Sequence, residues 1–280
     1  MKGESPQLKV ENTPVCRNAE IDSFSPLNLV SRMSQPEEKF DRLETGIPGL
    51  DSMLDGGFSE GRVVLVLGEP GSGKTILCSQ YLYHGAVRKN EKTIFIGMNE
   101  QKSRFVQEMS GLGMDFVNLE KSGTFAYIDA TEIRRIPEEA KVGRIPVGGR
   151  ELSLVNLMDM IQEAIEKYSP KRIVVDSISD LVFRYPKLEE RRPIILDLVE
   201  SLQSTKATCL MTSELLSTGE GRMLQPEEYL AEGVVIMRTL PKGIRSIQIL
   251  KMRGSKVDTH ARPYVINDQG LQVYVTEEIY

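Results

Sequence analysis

The sequence contains few of the residues that build metal sites, disulfide frameworks or membrane spans. Among 280 residues there is no tryptophan, and there are only two histidines and three cysteines. The cysteines (Cys16, Cys78 and Cys209) show no CxxC spacing, so a structural zinc site is not expected. Their odd number, in a sequence without a signal peptide, is typical of a reducing cytoplasm. The apolar runs are much shorter than a membrane-spanning helix, so we expect a cytoplasmic chain with no membrane span.

The charge balance argues against a further class of function. Forty acidic residues face 35 basic ones, which gives a net charge of −5 at pH 7. This balance does not indicate a general nucleic-acid-binding surface. The chain is 40% hydrophobic and 27% charged. That composition can build a full core, and 280 residues suit one large α/β domain or two small ones.

The first forty residues differ in composition from the rest of the chain. They are rich in Ser, Pro, Asn and Glu, and no apolar period persists in them. We therefore expect residues 1–40 to form a disordered tail that docks loosely, if at all, through "FSPLNLV". The predicted folded domain spans residues 41–280.

Within that domain, short apolar strands alternate with helices, and strands alone follow. The predicted strands are 62–67, 92–97, 124–130, 172–176 and 207–213, and the predicted helices are 74–87, 101–112, 152–165 and one with Pro193 in its first turn. After residue 213, consecutive strands are joined by short turns. The pattern predicts an α/β fold with a mostly parallel central sheet between helices, extended by antiparallel strands at its carboxyl end.

A glycine-rich segment, GEPGSGKT, lies between the first of these strands and the first helix. It fits the pattern GxxxxGK[ST], in which glycines let several backbone N–H groups point into one hollow that accepts phosphate. Lys74 would bring a positive charge to the β- and γ-phosphates. Thr75 would offer a hydroxyl to Mg²⁺. The residues predicted to bind the nucleotide here are Gly68, Glu69, Pro70, Gly71, Ser72, Gly73, Lys74, Thr75 and Ile76.

A carboxylate should complete the metal side of this site. The strand "RIVVD" ends in Asp176 after three β-branched apolar residues. An aspartate at the tip of a buried strand beside a phosphate-binding loop usually holds Mg²⁺ through water. The alternative is that Asp176 only caps the next turn. We predict that Thr75 and Asp176 are the metal-side residues.

Several motifs resemble those of the KaiC-like ATPases, within the wider RecA/RadA superfamily. The phrase TGIPGLDSMLDGG (45–57) precedes the glycine loop, and "RIVVDSISDL", "ATCLMTSE" and "ILKMRGSKVD" follow in the same order. The resemblance covers about residues 40–275. It implies a RecA-type P-loop core, ATP as the ligand, and assembly of copies of the chain into rings, commonly hexamers, with nucleotide at the subunit borders.

The resemblance implies a specific role for two cations near the carboxyl end of the chain. Lys251 and Arg253 lie two residues apart on a predicted strand, so they face the same way. The resemblance implies that both reach the γ-phosphate bound to a neighbouring subunit, where a cation stabilises developing charge. Without the resemblance, two solvated charges on an exposed strand would be the simpler interpretation.

The catalytic base is less clear from the sequence. In clock-type relatives the strand that corresponds to "IFIG" ends in two consecutive glutamates, and the first is assigned as the base. Here "IFIGMNEQ" places Asn99 on that position and Glu100 on the second. An amide cannot accept a proton at neutral pH, so we expect Glu100 to act as the catalytic acid/base and turnover to be slow. Glu100 could turn inward if the strand ended by residue 98. Alternatively, Asn99 caps the following helix, or hydrolysis relies on positioning alone.

Three functions remain open from the sequence. The first is a slow, ring-forming ATPase whose nucleotide state acts on a regulatory or signalling partner of unknown identity. The second is a recombination accessory, similar to RadA paralogues, that binds single-stranded DNA. The loop 214–232 opposes that function because it holds five acids and one base, whereas the more basic insertion 130–150 is expected to be a solvated loop. The third is a nucleotide-dependent scaffold with negligible hydrolysis.

Overall fold

The computed structural model describes residues 41–131, 139–142, 145–185, 187–217 and 222–277. These residues belong to a compact unit, Phe40–Tyr280. The predicted tail lies outside the described residues, as does much of the basic insertion.

Strands and helices follow one another along the chain as short elements of the sheet and its covering layers. The strands are β1 (Arg42–Leu43), β2 (Phe58–Ser59), β3 (Val63–Gly68), β4 (Thr93–Gly97), β5 (Phe125–Asp129), β6 (Glu139–Val142), β7 (Ile145–Gly148), β8 (Arg172–Asp176), β9 (Thr208–Glu214), β10 (Gly233–Thr239), β11 (Arg245–Met252), β12 (Arg262–Asn267) and β13 (Gly270–Val273). The helices are α1 (Leu50–Met53), α2 (Lys74–Lys89), α3 (Lys102–Ser110), α4 (Phe116–Lys121), α5 (Gly149–Tyr168), α6 (Ser179–Arg184), α7 (Leu188–Ser204) and α8 (Pro226–Leu230).

Among the described residues, nine strands form the central sheet in the order β13-β12-β11-β10-β3-β9-β8-β4-β5. The strands from β10 to β5 in that order pair in parallel, and β10, β11, β12 and β13 pair antiparallel. This architecture confirms the predicted fold class. The five predicted strands correspond to β3, β4, β5, β8 and β9.

The central strands are apolar throughout because both faces of the sheet are covered. Val64 and Val66 of β3 pack with α2, α3 and α4 on one face. Val63, Leu65 and Leu67 pack with α5, α6 and α7 on the other. Because successive side chains point to opposite faces of a strand, β3 contributes to two separate hydrophobic cores.

The prediction that Pro193 lies in the first turn of its helix is wrong. Helix α7 begins at Leu188, and Pro193 lies inside it. Proline has a helical φ, but inside a helix it removes one backbone N–H donor and crowds the preceding turn, so this position lowers the stability of α7. Glu189 and Glu190 occupy the first turn of the helix, where the positive end of the helix dipole stabilises their negative charges.

The shortest elements were not predicted. They are α1, α4, α6 and α8, and the two-stranded pairs β1–β2 and β6–β7. Such segments are too short for an apolar period to be recognised. Within the described ranges, none of the helices has the length and apolar character needed to cross a bilayer.

The parallel strands bring their carboxyl ends to one edge of the sheet. Gly68 is paired with Glu214, and Gly97 is paired with both Asp129 and Asp176. In open α/β sheets, ligands bind in the crevice at this edge. The glycine-rich loop, the predicted metal-side aspartate and the Asn99–Glu100 pair therefore lie along the same border.

Candidate functional site

The glycine-rich loop connects β3 directly to α2. Gly71 and Gly73 have φ values of 77° and 91°, a left-handed conformation that favours glycine. A Cβ on Gly73 would also lie 2.5 Å from the Ile266 side chain of β12. Because α2 starts at Lys74, its first free N–H groups point into the hollow of the loop. The backbone here has the geometry of an anion cradle.

Lys74 folds back over the loop. Its Nζ donates hydrogen bonds to the carbonyl oxygens of Gly68, at 2.8 Å, and Glu69, at 3.1 Å. Burial lowers the pKa of Lys74, and the nearby carboxylates of Asp176 and Glu214 oppose that effect. The ammonium group is thus held at the mouth of the cradle, where a phosphate would offer it a stronger acceptor than a carbonyl.

Asp176 connects three elements at the sheet edge. Its Oδ2 accepts a hydrogen bond of 2.6 Å from the Thr75 hydroxyl of α2, and its Oδ1 accepts one from the Thr212 hydroxyl of β9. The structure therefore brings the two predicted metal-side residues together. Thr212 was not predicted, because no motif of the sequence connects this residue of β9 with Thr75 or Asp176.

The residues present fit Mg²⁺ and a phosphate chain. Thr75 and Asp176 offer hydroxyl and carboxylate oxygens, which are the ligands that Mg²⁺ prefers. The Ser72 hydroxyl in the loop is buried and has no hydrogen-bond partner among the described residues. A Cβ at Gly68 would lie 2.5 Å from this hydroxyl, so the hydroxyl packs against the start of the loop.

Glu100 and Asn99 follow β4 outside the strand, because β4 ends at Gly97. The Asn99 amide donates to the Ser177 hydroxyl at 3.3 Å. Helix α3 begins at Lys102 with Gln101 as its N-cap, so the interpretation that Asn99 caps this helix is wrong. The early end of the strand is the condition under which Glu100 can turn towards the nucleotide.

The Glu100 carboxylate is largely covered, with 22% of its side chain exposed, and lies 3.2 Å from the Arg104 guanidinium. Burial raises the pKa of Glu100, and the charge of Glu108 adds to the rise. The positive charge of Arg104 opposes both effects. A carboxylate with a raised pKa beside a phosphate cradle has the character of a general base.

Lys251 and Arg253 lie away from the glycine loop of their own chain. Val234 pairs with both Lys251 and Leu65, whereas Gly68 pairs with Met237 further along the same strands. Lys251 is thus displaced by roughly 10 Å along the strand direction, away from the carboxyl ends of the parallel strands. Strand β11 ends at Met252 and Arg253 lies in the turn after it, so the prediction that both cations lie on one strand is wrong. Neither side chain forms an ion pair with any described residue, and burial lowers the pKa of Lys251, assisted by Arg253.

A cavity of about 490 Å³ adjoins the loop on the side of α2. Apolar side chains form much of its wall, with Arg245 and Glu108 at the rim. Its lining is Gly71, Gly73, Lys74, Thr75, Ile76, Glu108, Met109, Leu112, Arg245 and Ile266. Ile76 was predicted, but the residues from α3, β11 and β12 could not be, because only folding brings them to the loop.

The cradle between β3 and α2, with a carboxylate from a neighbouring parallel strand bound to its threonine, defines a P-loop nucleotide-binding protein with a RecA-type core. The family follows from comparison. A family model described as the KaiC ATPase matches residues 43–278, and the chain belongs to that family.

Individual relatives support the same assignment. A UPF0273 protein of Aeropyrum pernix is 35% identical over 84% of this chain and 94% of its own length. The circadian clock protein KaiC3 of Synechocystis is 31% identical over 86% of this chain, which spans 47% of that longer protein. The crystal structure of a KaiC-like protein from Pyrococcus horikoshii superposes with a TM-score of 0.70 at 28% identity, over 84% of this chain and 100% of its own.

Proposed function

We propose that this protein is a slow, Mg²⁺-dependent ATPase whose site is completed by a second copy of the chain in a ring. Its nucleotide state would act on a regulatory partner. The observation that carries the proposal is the convergence of Lys74, Thr75 and Asp176 on the glycine cradle. Membership of an ATPase family supports ATP as the nucleotide.

In this proposal each part of the cradle has a defined task. The backbone N–H groups at the start of α2 and the Lys74 ammonium bind the β- and γ-phosphates. Thr75 and Asp176 hold Mg²⁺, which when bound offsets the charge of the phosphate oxygens. The cavity bounded by Ile76 and Ile266 receives the nucleoside, whose flat apolar faces match its wall.

Glu100 would activate the water that attacks the γ-phosphate. Asn99 can orient water but cannot take its proton, and its amide already bonds Ser177. Glu100 must leave its ion pair with Arg104 to act fully as a base. For both reasons we expect turnover to be slow.

Lys251 and Arg253 would complete the site of a neighbouring subunit. They cannot serve their own loop because they lie towards the other edge of the sheet. A cation that contributes to the γ-phosphate only from another chain makes hydrolysis depend on assembly. A closed ring of identical contacts is the arrangement that gives every site such a neighbour.

A second candidate function is a scaffold that binds ATP without hydrolysing it. The ion pair between Glu100 and Arg104 favours this candidate because it neutralises the proposed base. Phosphate release from loaded assemblies separates the two functions. DNA binding is disfavoured by the acids of the loop 214–232, and a steep loss of DNA affinity with salt would be needed to support it.

The first test replaces Lys74. We expect Lys74→Ala to lower the affinity for Mg-ATP at least about 100-fold and to abolish phosphate release, since it removes the charge in the cradle. Lys89→Ala, on the exposed end of the same helix, is the matched control and should leave both unchanged. Mass measured with and without Mg-ATP reports assembly. Wild-type protein that binds no Mg-ATP, or that stays monomeric when saturated, would contradict the proposal.

A further inference from the structure

The backbone that carries Glu100 is held by a side chain from the neighbouring strand. The Tyr127 hydroxyl of β5 donates a hydrogen bond of 2.6 Å to the Glu100 carbonyl oxygen. This contact fixes the chain between the end of β4 and the start of α3. The sequence gives no sign of it, because Glu100 and Tyr127 are 27 positions apart.

The Tyr127 ring is held rigidly by other aromatic rings. It is stacked on Phe95, its pairing partner on β4, with ring centres 5.5 Å apart and an angle of 11°. It also packs on Phe105 of α3, with centres 5.2 Å apart. Rings from β4 and α3 therefore hold the Tyr127 ring in place. The Tyr127 hydroxyl in turn binds the segment around Glu100, which joins β4 to α3.

Gly97 provides the space for this hydrogen bond. A Cβ at Gly97 would lie 1.9 Å from the Tyr127 hydroxyl oxygen and 3.0 Å from the Glu100 carbonyl oxygen. Its φ is not in the left-handed range, so turn geometry does not require glycine at this position. The close approach of the tyrosine does.

The hydroxyl remains a donor at every relevant pH. Burial raises the pKa of Tyr127 well above its ordinary value, and the charges of Asp129 and Glu100 add to the rise. A neutral phenol beside a carbonyl oxygen donates its only proton to that oxygen. Ionisation of Tyr127 therefore does not break this hydrogen bond.

We propose that Tyr127 is a positioning residue for hydrolysis: its hydroxyl fixes the Glu100 backbone so that the carboxylate stays in reach of the attacking water. The inference rests on the proposed function of Glu100. Tyr127 does not itself touch the reacting atoms. Since displacement of a catalytic group by about 1 Å can cost 100-fold in rate, one backbone hydrogen bond is enough to matter.

The test is Tyr127→Phe, which keeps the stacked ring and removes the hydroxyl. We expect kcat for phosphate release to fall about tenfold while KM for ATP stays within about twofold. Tyr83→Phe, in a ring that packs on Phe116 further from Glu100, is the matched control and should leave kcat unchanged. An unchanged kcat in Tyr127→Phe, or a KM that rises as kcat falls, would overturn the inference.

A second background separates this inference from the proposed function. Because Tyr127 acts through Glu100, Tyr127→Phe should cost nothing further in a Glu100→Gln protein. Equal losses in both backgrounds would show a general structural role and overturn the inference alone. A Glu100→Gln protein that hydrolyses at the wild-type rate would overturn the role of Glu100, and the positioning role with it, while Lys74→Ala still tests nucleotide binding.

Discussion

At the residue scale, Glu100 lies between opposing influences. Burial and the Glu108 carboxylate raise its pKa, and the Arg104 guanidinium lowers it. Arg104 is bound to both acids, at 3.2 Å from Glu100 and 3.0 Å from Glu108. The Arg104 side chain is largely exposed, so little packing restrains it. These opposing effects on the pKa of Glu100 set the pH range in which its carboxylate is ionised.

This balance predicts a pH shift for Arg104→Gln. A base works when ionised, so kcat should fall as the pH falls through the raised pKa of Glu100. Removing Arg104 removes the charge that lowers that pKa, so the acidic limb of kcat should move to higher pH. The measurement is kcat at saturating Mg-ATP between about pH 5 and 8. Lys121→Gln, on α4, is the control. A limb that stays in place, or moves to lower pH, would contradict this assignment.

At the element scale, β8 makes contacts with other elements at both of its ends. Asp176 at its carboxyl end binds Thr75, and Arg172 at its amino end is fully buried. The Arg172 guanidinium donates to the carbonyl oxygens of Glu44, at 2.7 Å, and Tyr81, at 2.9 Å, and lies 4.5 Å from the Tyr81 ring centre. Through Tyr81, this strand fixes α2, the helix whose first turn forms the cradle.

The Glu91 carboxylate, 2.5 Å from the Arg172 Nε, is the partner of this buried charge. Glu91→Gln should destabilise the fold by about 2–3 kcal/mol, because breaking a buried pair leaves a charge without its counter-ion. Glu60→Gln, which breaks the more exposed pair with Lys171, should cost less than about 1 kcal/mol. Urea unfolding measures both. Equal losses in the free energy of unfolding would mean that the Glu91–Arg172 pair contributes no more to stability than the Glu60–Lys171 pair.

At the scale of the whole molecule, the proposal that a second copy completes the site rests on the distance of Lys251 and Arg253 from their own loop. Lys251 lies on β11, two strands from β3 in the sheet, and Arg253 lies in the turn directly after that strand. The antiparallel pairing places Lys251 opposite Val234, three residues before Met237, which pairs with Gly68 at the loop. Under the proposed function, a monomer would bind nucleotide with its complete cradle, and hydrolysis would require a neighbouring subunit.

Mixing two inactive variants tests this dependence. Arg253→Ala subunits keep Glu100, and Glu100→Gln subunits keep Arg253. In a ring with equal amounts of both, about one quarter of the borders combine an intact base with an intact cation, so part of the activity should return. Phosphate release is compared with that of each variant alone, and mass confirms that mixed rings form. Mixed rings without recovered activity would contradict action between subunits.

The sequence by itself determined the features that depend on local pattern. The GEPGSGKT segment fixes a cradle because its glycines, lysine and threonine act within one turn of the chain. The apolar β-branched runs fix buried parallel strands, and the apolar strand before Asp176 fixes a carboxylate at the sheet edge. These features were predictable because backbone geometry and periodicity operate over a few residues.

Only the tertiary structure decided which distant residues meet. Thr212 reaches Asp176, Tyr127 reaches Glu100 across the space left by Gly97, and Ile266 closes on Gly73. It also decided that the strand ends at Gly97, which frees Glu100, and that Lys251 and Arg253 lie far from their own loop. Contacts of this kind are set by strand order and by the packing of both faces of the sheet, and no local period encodes either.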